Sequence, residues 1–196
     1  MSPGNFDQWG ASSSTKRTIS ILHANGLSIA VLVALGVPSL FLFALRADIH
    51  VKDVILAALD TGLLESMIIL LVLIGGILAH ELIHGLFFSL YAHNGWKAIS
   101  FGVLWQYITP YCHCSEPVLL VHYAIASLAP TVILGMIPLA LSFVIVNSHM
   151  LLFGLCFIAA GSGDILLVMT LRKEHGGCHV LDLKDEVGYV IFHRST

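Results

Sequence analysis

Charge is what this sequence has least of. Asp, Glu, Lys and Arg together make up 11% of its 196 residues, where a soluble domain carries about 25%. Hydrophobic residues reach 57% and the mean hydropathy is +0.90. So few charges could not cover a soluble surface, so lipid must solvate part of the chain. The net charge is only -3, and no basic patch of the kind nucleic acid needs is present, which argues against a nucleic-acid partner. The four cysteines, Cys112, Cys114, Cys156 and Cys178, show no even disulfide framework, which fits a reducing compartment around the soluble parts. Lys16 and Arg17 precede an apolar run that holds Pro38 and no small-residue cleavage site, so it reads as a retained helix and not a removed signal peptide. There is no internal repeat and no low-complexity segment.

The few charges are unevenly spread. None lies between Arg17 and Arg46, between Glu65 and Glu81, or between Glu116 and Asp164. A helix needs about 20 apolar residues to cross hydrocarbon. The first and third gaps reach that length alone, and the second does so with its apolar neighbours. The expectation is an all-α integral membrane protein with about four transmembrane helices, near 27–45, 63–90, 118–146 and 150–171. Pro130 and Pro138 interrupt the third. Residues 1–24 are expected as a polar cytosolic tail, mobile or a short surface helix. Residues 25–171 form the transmembrane domain, and 172–196 a second polar cytosolic tail ending in the strand-like run Gly188 to Phe192.

After the second helix, Lys97-Ala98-Ile99-Ser100-Phe101 partly alternates, and Leu104-Trp105-Gln106-Tyr107-Ile108-Thr109 is aromatic and β-branched. Residues 97–112 therefore predict a short membrane-associated β-hairpin, with an irregular re-entrant loop as the alternative. Lys16, Arg17, Lys97, Arg172 and Lys173 fall on one side of such a bundle, against Arg46 and Lys52 on the other. That bias places both termini in the cytosol.

Inside the second helix stands His80-Glu81-Leu82-Ile83-His84. Imidazoles four apart on a helix share a face and can share a metal ion, and the glutamate between them can accept a proton from a water without itself being a ligand. Zinc with three protein ligands keeps a fourth position open and lowers the pKa of a water to about 7, the chemistry peptide hydrolysis needs. Coincidence would place this pattern in roughly 1–2% of shuffled chains of this composition. Each ionisable group in a membrane helix also costs about 2.5–3.5 kcal/mol on insertion scales, so three on one turn demand a shared compensation.

Asp164 is the candidate third ligand. It is the acidic residue within the fourth apolar helix, in Gly161-Ser162-Gly163-Asp164, where glycines allow close helix approach. The alternative for Asp164 is a cap at a helix break. His122 in the third helix could be a ligand or a transition-state donor, but a bundle contact is the commoner role for such a residue. Cys112-His113-Cys114 reads as a structural turn. His175, Cys178 and His179 read as solvated. Glu65 lies roughly 22 Å along the helix from His80, too far to join the site.

With these pieces in view, the sequence resembles the putative zincin peptidase family of small bacterial membrane proteins, over about residues 60 to 192. The residues that carry the likeness are Ala79-His80-Glu81-Leu82-Ile83-His84-Gly85, Tyr111-Cys112-His113-Cys114-Ser115-Glu116-Pro117, Gly163-Asp164, and the acidic ending from Leu181 to Tyr189. The layout is similar to that of site-two intramembrane proteases. Those proteases carry Asn-Pro-Asp-Gly around their third ligand, where this sequence reads Ser162-Gly163-Asp164-Ile165. The resemblance implies zinc at His80, His84 and Asp164, with Glu81 as catalytic base. The expected protein is a zinc metalloprotease of the bacterial cell membrane, in contact with lipid and acting on a peptide or transmembrane-protein substrate. The alternative is a non-catalytic metal-binding membrane protein: a pseudoprotease, a sensor or a transport-related protein.

Overall fold

Long apolar segments without internal charge can satisfy their backbone only within themselves, so they fold as helices. The computed structural model describes residues 11–105, 109–174, 177–183 and 188–194. Its helices are α1 (Ile21–Val31), α2 (Val37–Ala47), α3 (Val51–Leu59), α4 (Leu63–Tyr91), α5 (Leu120–Pro130), α6 (Ile137–Ile145), α7 (Ser148–Ala160) and α8 (Ser162–Leu171). A widened π-helical turn, Leu32–Gly36, joins α1 to α2, and another, Thr131–Met136, follows Pro130 and joins α5 to α6. The prolines therefore do not end these segments. Removal of a backbone donor is absorbed by local widening of the helix.

Among the described residues, Leu22–Ala47, Leu63–Tyr91 and Leu120–Ile145 are long and apolar enough to cross a membrane, and the pair α7–α8, broken at Gly161, could serve as a fourth crossing. Only 6% of the most apolar window of α4 is buried. Leu63, Leu64, Leu71 and Leu90 all stand exposed, an apolar surface of the kind a membrane-crossing helix presents.

The fold is mostly helical but not all-α. The strands are β1 (Ala11–Thr18), β2 (Ile99–Leu104), β3 (Thr109–Cys114), β4 (Val118–Leu119), β5 (His179–Asp182) and β6 (Gly188–Arg194). β2 and β3 form a hairpin where one was expected, antiparallel from Ile99↔Cys114 to Leu104↔Thr109, but its second strand is Thr109–Cys114 and not the aromatic run 104–109, which spans the end of β2 and the connection to β3. Residues 106–108, including the Tyr107 of the second expected strand, lie outside the described residues, as do His175 and 184–187.

A second sheet has the order β1-β6-β5-β4. The N-terminal stretch, expected as a mobile tail or surface helix, is here strand β1, paired with β6 from Ser13↔His193 to Thr18↔Gly188. Its run of Ser and Thr suits a strand once a partner edge is available, and β6 is that partner.

The chain divides into two units. One holds both sheets together with 81–129 and 164–196. Its core is Phe88, Cys114, Tyr123, Leu171, Val180, Tyr189 and Ile191. The other holds 24–80 and 130–163, with Phe43, Val54, Leu151 and Leu155 at its centre. In this second unit, helices meet on glycine. A Cβ on Gly154 would lie 2.6 Å from the backbone nitrogen of Leu139 and 2.8 Å from the Gly135 carbonyl oxygen. Backbone cannot step aside as a flexible side chain can. Gly154→Ala should therefore destabilise by about 1–3 kcal/mol and lower the thermal unfolding midpoint in detergent. Gly75→Ala, at a position with nothing within 4 Å, should not.

Candidate metal centre

The centre is built on α4, whose uninterrupted helix sets His80 and His84 one turn apart on a common face. The two are 9% and 7% exposed. Asp164 comes from the first turn of α8. Its Oδ2 lies 3.5 Å from His84 Nε2. His80, His84 and Asp164 each offer a ligand atom, and these atoms all lie within 4.8 Å of one another. The Asp164 carboxylate is thus within reach of the imidazoles and does not merely cap the helix break.

The donor set fits a metal ion. His84 donates from Nδ1 to the Ala126 carbonyl at 2.9 Å, which leaves the Nε2 lone pair pointing at a carboxylate oxygen. Two lone pairs facing across that gap require a cation between them, a proton or a metal. The third donor on the same turn favours the metal. Donors bound at about 2.0–2.1 Å to a tetrahedral zinc stand about 3.3 Å apart, close to the separation of His84 and Asp164. The Ala126 carbonyl supplies the outer hydrogen bond that fixes ring orientation in metal-binding histidines. Sequence reasoning missed Ala126 because a backbone acceptor carries no residue signature.

The hairpin flanks this helix. A Cβ on Gly85 would lie 2.6 Å from Phe101 Cζ, so the β2 ring rests on α4 one residue after His84. Cys112, paired across the hairpin with Phe101, is driven to a high pKa by burial, then by the charges of Glu81 and Asp182. Burial also pushes the Cys114 thiol up to about 11.

Cys112-His113-Cys114 is the end of strand β3 and not the expected turn, because β2 offers it a full ladder. His113, 8% exposed, donates from Nδ1 to Asp182 Oδ2 at 3.2 Å, and Tyr123 donates to Asp182 Oδ1 at 3.2 Å. The sequence placed His113 in a turn and Asp182 in an acidic ending, and paired neither with the other. Asp182 lies in a segment read as polar tail, and only the apolar Val180 and Leu181 beside it hinted at a buried strand.

His122 stacks flat on Tyr91 with ring centroids 4.1 Å apart, a bundle contact. Glu65 pairs with His149 at 3.8 Å, away from the metal group. Cys178 is not solvated as expected. It is 5% exposed, with Sγ 3.6 Å from His193 Nδ1, because β4 and β6 cover the start of β5.

These thiols supply a test. A raised pKa makes thiolate scarce at ordinary pH. At pH 8 the metal-free protein should alkylate Cys114 with iodoacetamide at least about 100-fold more slowly than an unperturbed thiol of pKa about 8.5. The rate should climb as pH approaches 11, and mass spectrometry of tryptic peptides measures it.

A family model described as putative zincin peptidase matches residues 73–178, more than half of the chain. That stretch contains His80, Glu81, His84, Ala126 and Asp164 and stops short of Asp182. No curated protein and no solved structure matches the chain.

Proposed function

The chain belongs to the putative zincin peptidase family, and on that premise we propose that it is a membrane-embedded zinc metallopeptidase that hydrolyses peptide bonds at or within the membrane. The family points to a metallopeptidase and implies zinc. The observation that carries the finer reading is the convergence of His84 and Asp164, from separate apolar helices, to 3.5 Å beside His80.

His80, His84 and Asp164 would hold the ion. Zinc there would supply a Lewis acid, lowering the pKa of a water to about 7. Glu81, next to His80 on the helix, receives on its carboxylate the proton that the attacking water gives up and returns it to the leaving amine nitrogen. The β2–β3 hairpin, which packs on α4 through Phe101 at Gly85, suits an extended substrate. A membrane helix must unwind before its carbonyls can react, and a strand edge can hold the unwound stretch by main-chain hydrogen bonds. Membrane lipid and a transmembrane-protein or peptide substrate are the partners of this reading.

Sheet topology supports four crossings. β1 precedes the first apolar helix, β4 follows the second, and β5 and β6 follow the last, yet all four strands share one sheet. They must lie on one side of the membrane, so the number of crossings is even. Three long helices and the α7–α8 pair give four. Glu65 and His149, at the starts of α4 and α7, lie 3.8 Å apart, which suits two helices that start on the same side. The sheet side carries Lys16, Arg17, Lys97, Arg172 and Lys173, which supports a cytosolic sheet and cytosolic termini in the cell membrane.

The experiment is cleavage by purified protein, wild type against Glu81→Gln, with zinc content measured on both. The reading expects a loss of about 10²–10⁴-fold in rate with zinc retained. Zinc-loaded wild type that cleaves no faster than Glu81→Gln would instead assign the centre to a non-catalytic metal protein.

A further inference from the structure

Pro130 is the last residue of α5, inside the third apolar segment, and its side chain is fully buried. A proline has no N–H, so it leaves the carbonyl four residues back without its helix donor, and its ring presses against that carbonyl. Four residues back from Pro130 is Ala126. The Ala126 carbonyl oxygen is the acceptor that meets His84 Nδ1 at 2.9 Å. In hydrocarbon no water can stand in for the missing donor, so a neighbouring helix must supply one. Here the donor is the ring N–H of a metal-site histidine.

Side chains on both helices hold this contact in register. Phe88, one turn after His84, meets Tyr123, three residues before Ala126, with ring centroids 5.4 Å apart. Next along, Tyr91 and His122 stack at 4.1 Å. As numbers rise along α4 they fall along α5, so the two helices run antiparallel through successive ring contacts. These contacts fix the freed carbonyl opposite His84.

Resting on the reading of His80, His84 and Asp164 as a zinc centre, we propose that Pro130 is a positioning residue of that centre. By withholding an N–H, it reserves the Ala126 carbonyl for His84. Donation from Nδ1–H to that carbonyl sets the ring tautomer, which leaves the lone pair on Nε2, the atom 3.5 Å from Asp164 Oδ2. With an ordinary residue at 130, its backbone N–H and the His84 ring share one oxygen. A helix bond also draws a carbonyl back along its own axis, away from α4. The His84 ring then loses its fixed orientation, and a metal ligand so loosened binds more weakly. Any residue at 126 supplies a carbonyl, and the residue at 130 decides whether it is free.

Zinc affinity of the full chain in detergent, measured by competition with a chelator, tests this without turnover. Two variants put the same methyl side chain at 130. Pro130→Ala restores the N–H. Pro130→lactic acid, with an ester in place of the amide, has the methyl group and no N–H. Both lose the proline ring, so a difference between them reads the donor alone and not packing or folding. Pro130→Ala should bind zinc about 10–100-fold more weakly than wild type, and Pro130→lactic acid should recover most of that loss. Ring-nitrogen NMR of the zinc-loaded protein is the second reading. The His84 Nδ1–H proton, identified by its absence from His84→Ala, should move upfield in Pro130→Ala and stay in place in Pro130→lactic acid. Equal zinc affinities in the two variants, or an Nδ1–H proton that Pro130→Ala leaves unmoved, overturn the proposal. Wild type that binds zinc no more tightly than His84→Ala sinks the zinc centre itself.

Discussion

A carboxylate within an apolar helix needs a cation. Asp164 stands in the first turn of α8, in a stretch with no other charge for dozens of residues upstream, and its neighbour is the lone-pair nitrogen of His84. Alone, such a group would cost about 2.5–3.5 kcal/mol on insertion scales. Shared with two imidazoles and a divalent ion, the same atoms become a binding site. Much of the fold follows from bringing these groups together. Gly161, at the break in that helix pair, packs against the Thr131 side chain, where a Cβ would clash, whereas Gly163 has open space beside it. The Ala126 carbonyl turns the His84 ring so that Nε2, and not Nδ1, faces the carboxylate.

The sheets answer a different requirement. Transmembrane helices alone leave one end of the metal helix open to water and offer nothing to an extended chain. The β2–β3 hairpin packs on the helix there, with Phe101 on Gly85. The four-stranded sheet gathers segments from both termini and from the connection between α4 and α5.

The helices and the grouping of His80, His84 and Asp164 were legible in the sequence because each leaves a dense local signal. Apolar runs without charge have one solution in lipid, and a histidine four residues from another has one common helical face. Asp164 was legible for the converse reason, as an acidic residue where composition forbids one. The remainder depends on pairing across long sequence separations. β1 is Ser- and Thr-rich and polar, and only the distant edge of β6 makes it a strand. His113 was read as part of a turn because its partner, Asp182, lies 69 residues away. Ala126 orients a ligand through its backbone, which any residue could supply. The bend at Gly161 and the widened turn after Pro130 were visible as breaks, but whether a break ends a helix or redirects it is decided by packing.

Central to this account is a zinc ion held by two imidazoles and one carboxylate. X-ray absorption at the zinc edge of the purified, detergent-solubilised protein reads the ligand atoms directly. The account predicts a shell of nitrogen and oxygen at about 2.0–2.2 Å with the outer-shell signature of two imidazole rings, and one imidazole fewer in His84→Ala. A sulfur shell near 2.3 Å, which would bring in a cysteine such as Cys112, or a spectrum unchanged by His84→Ala, would contradict it.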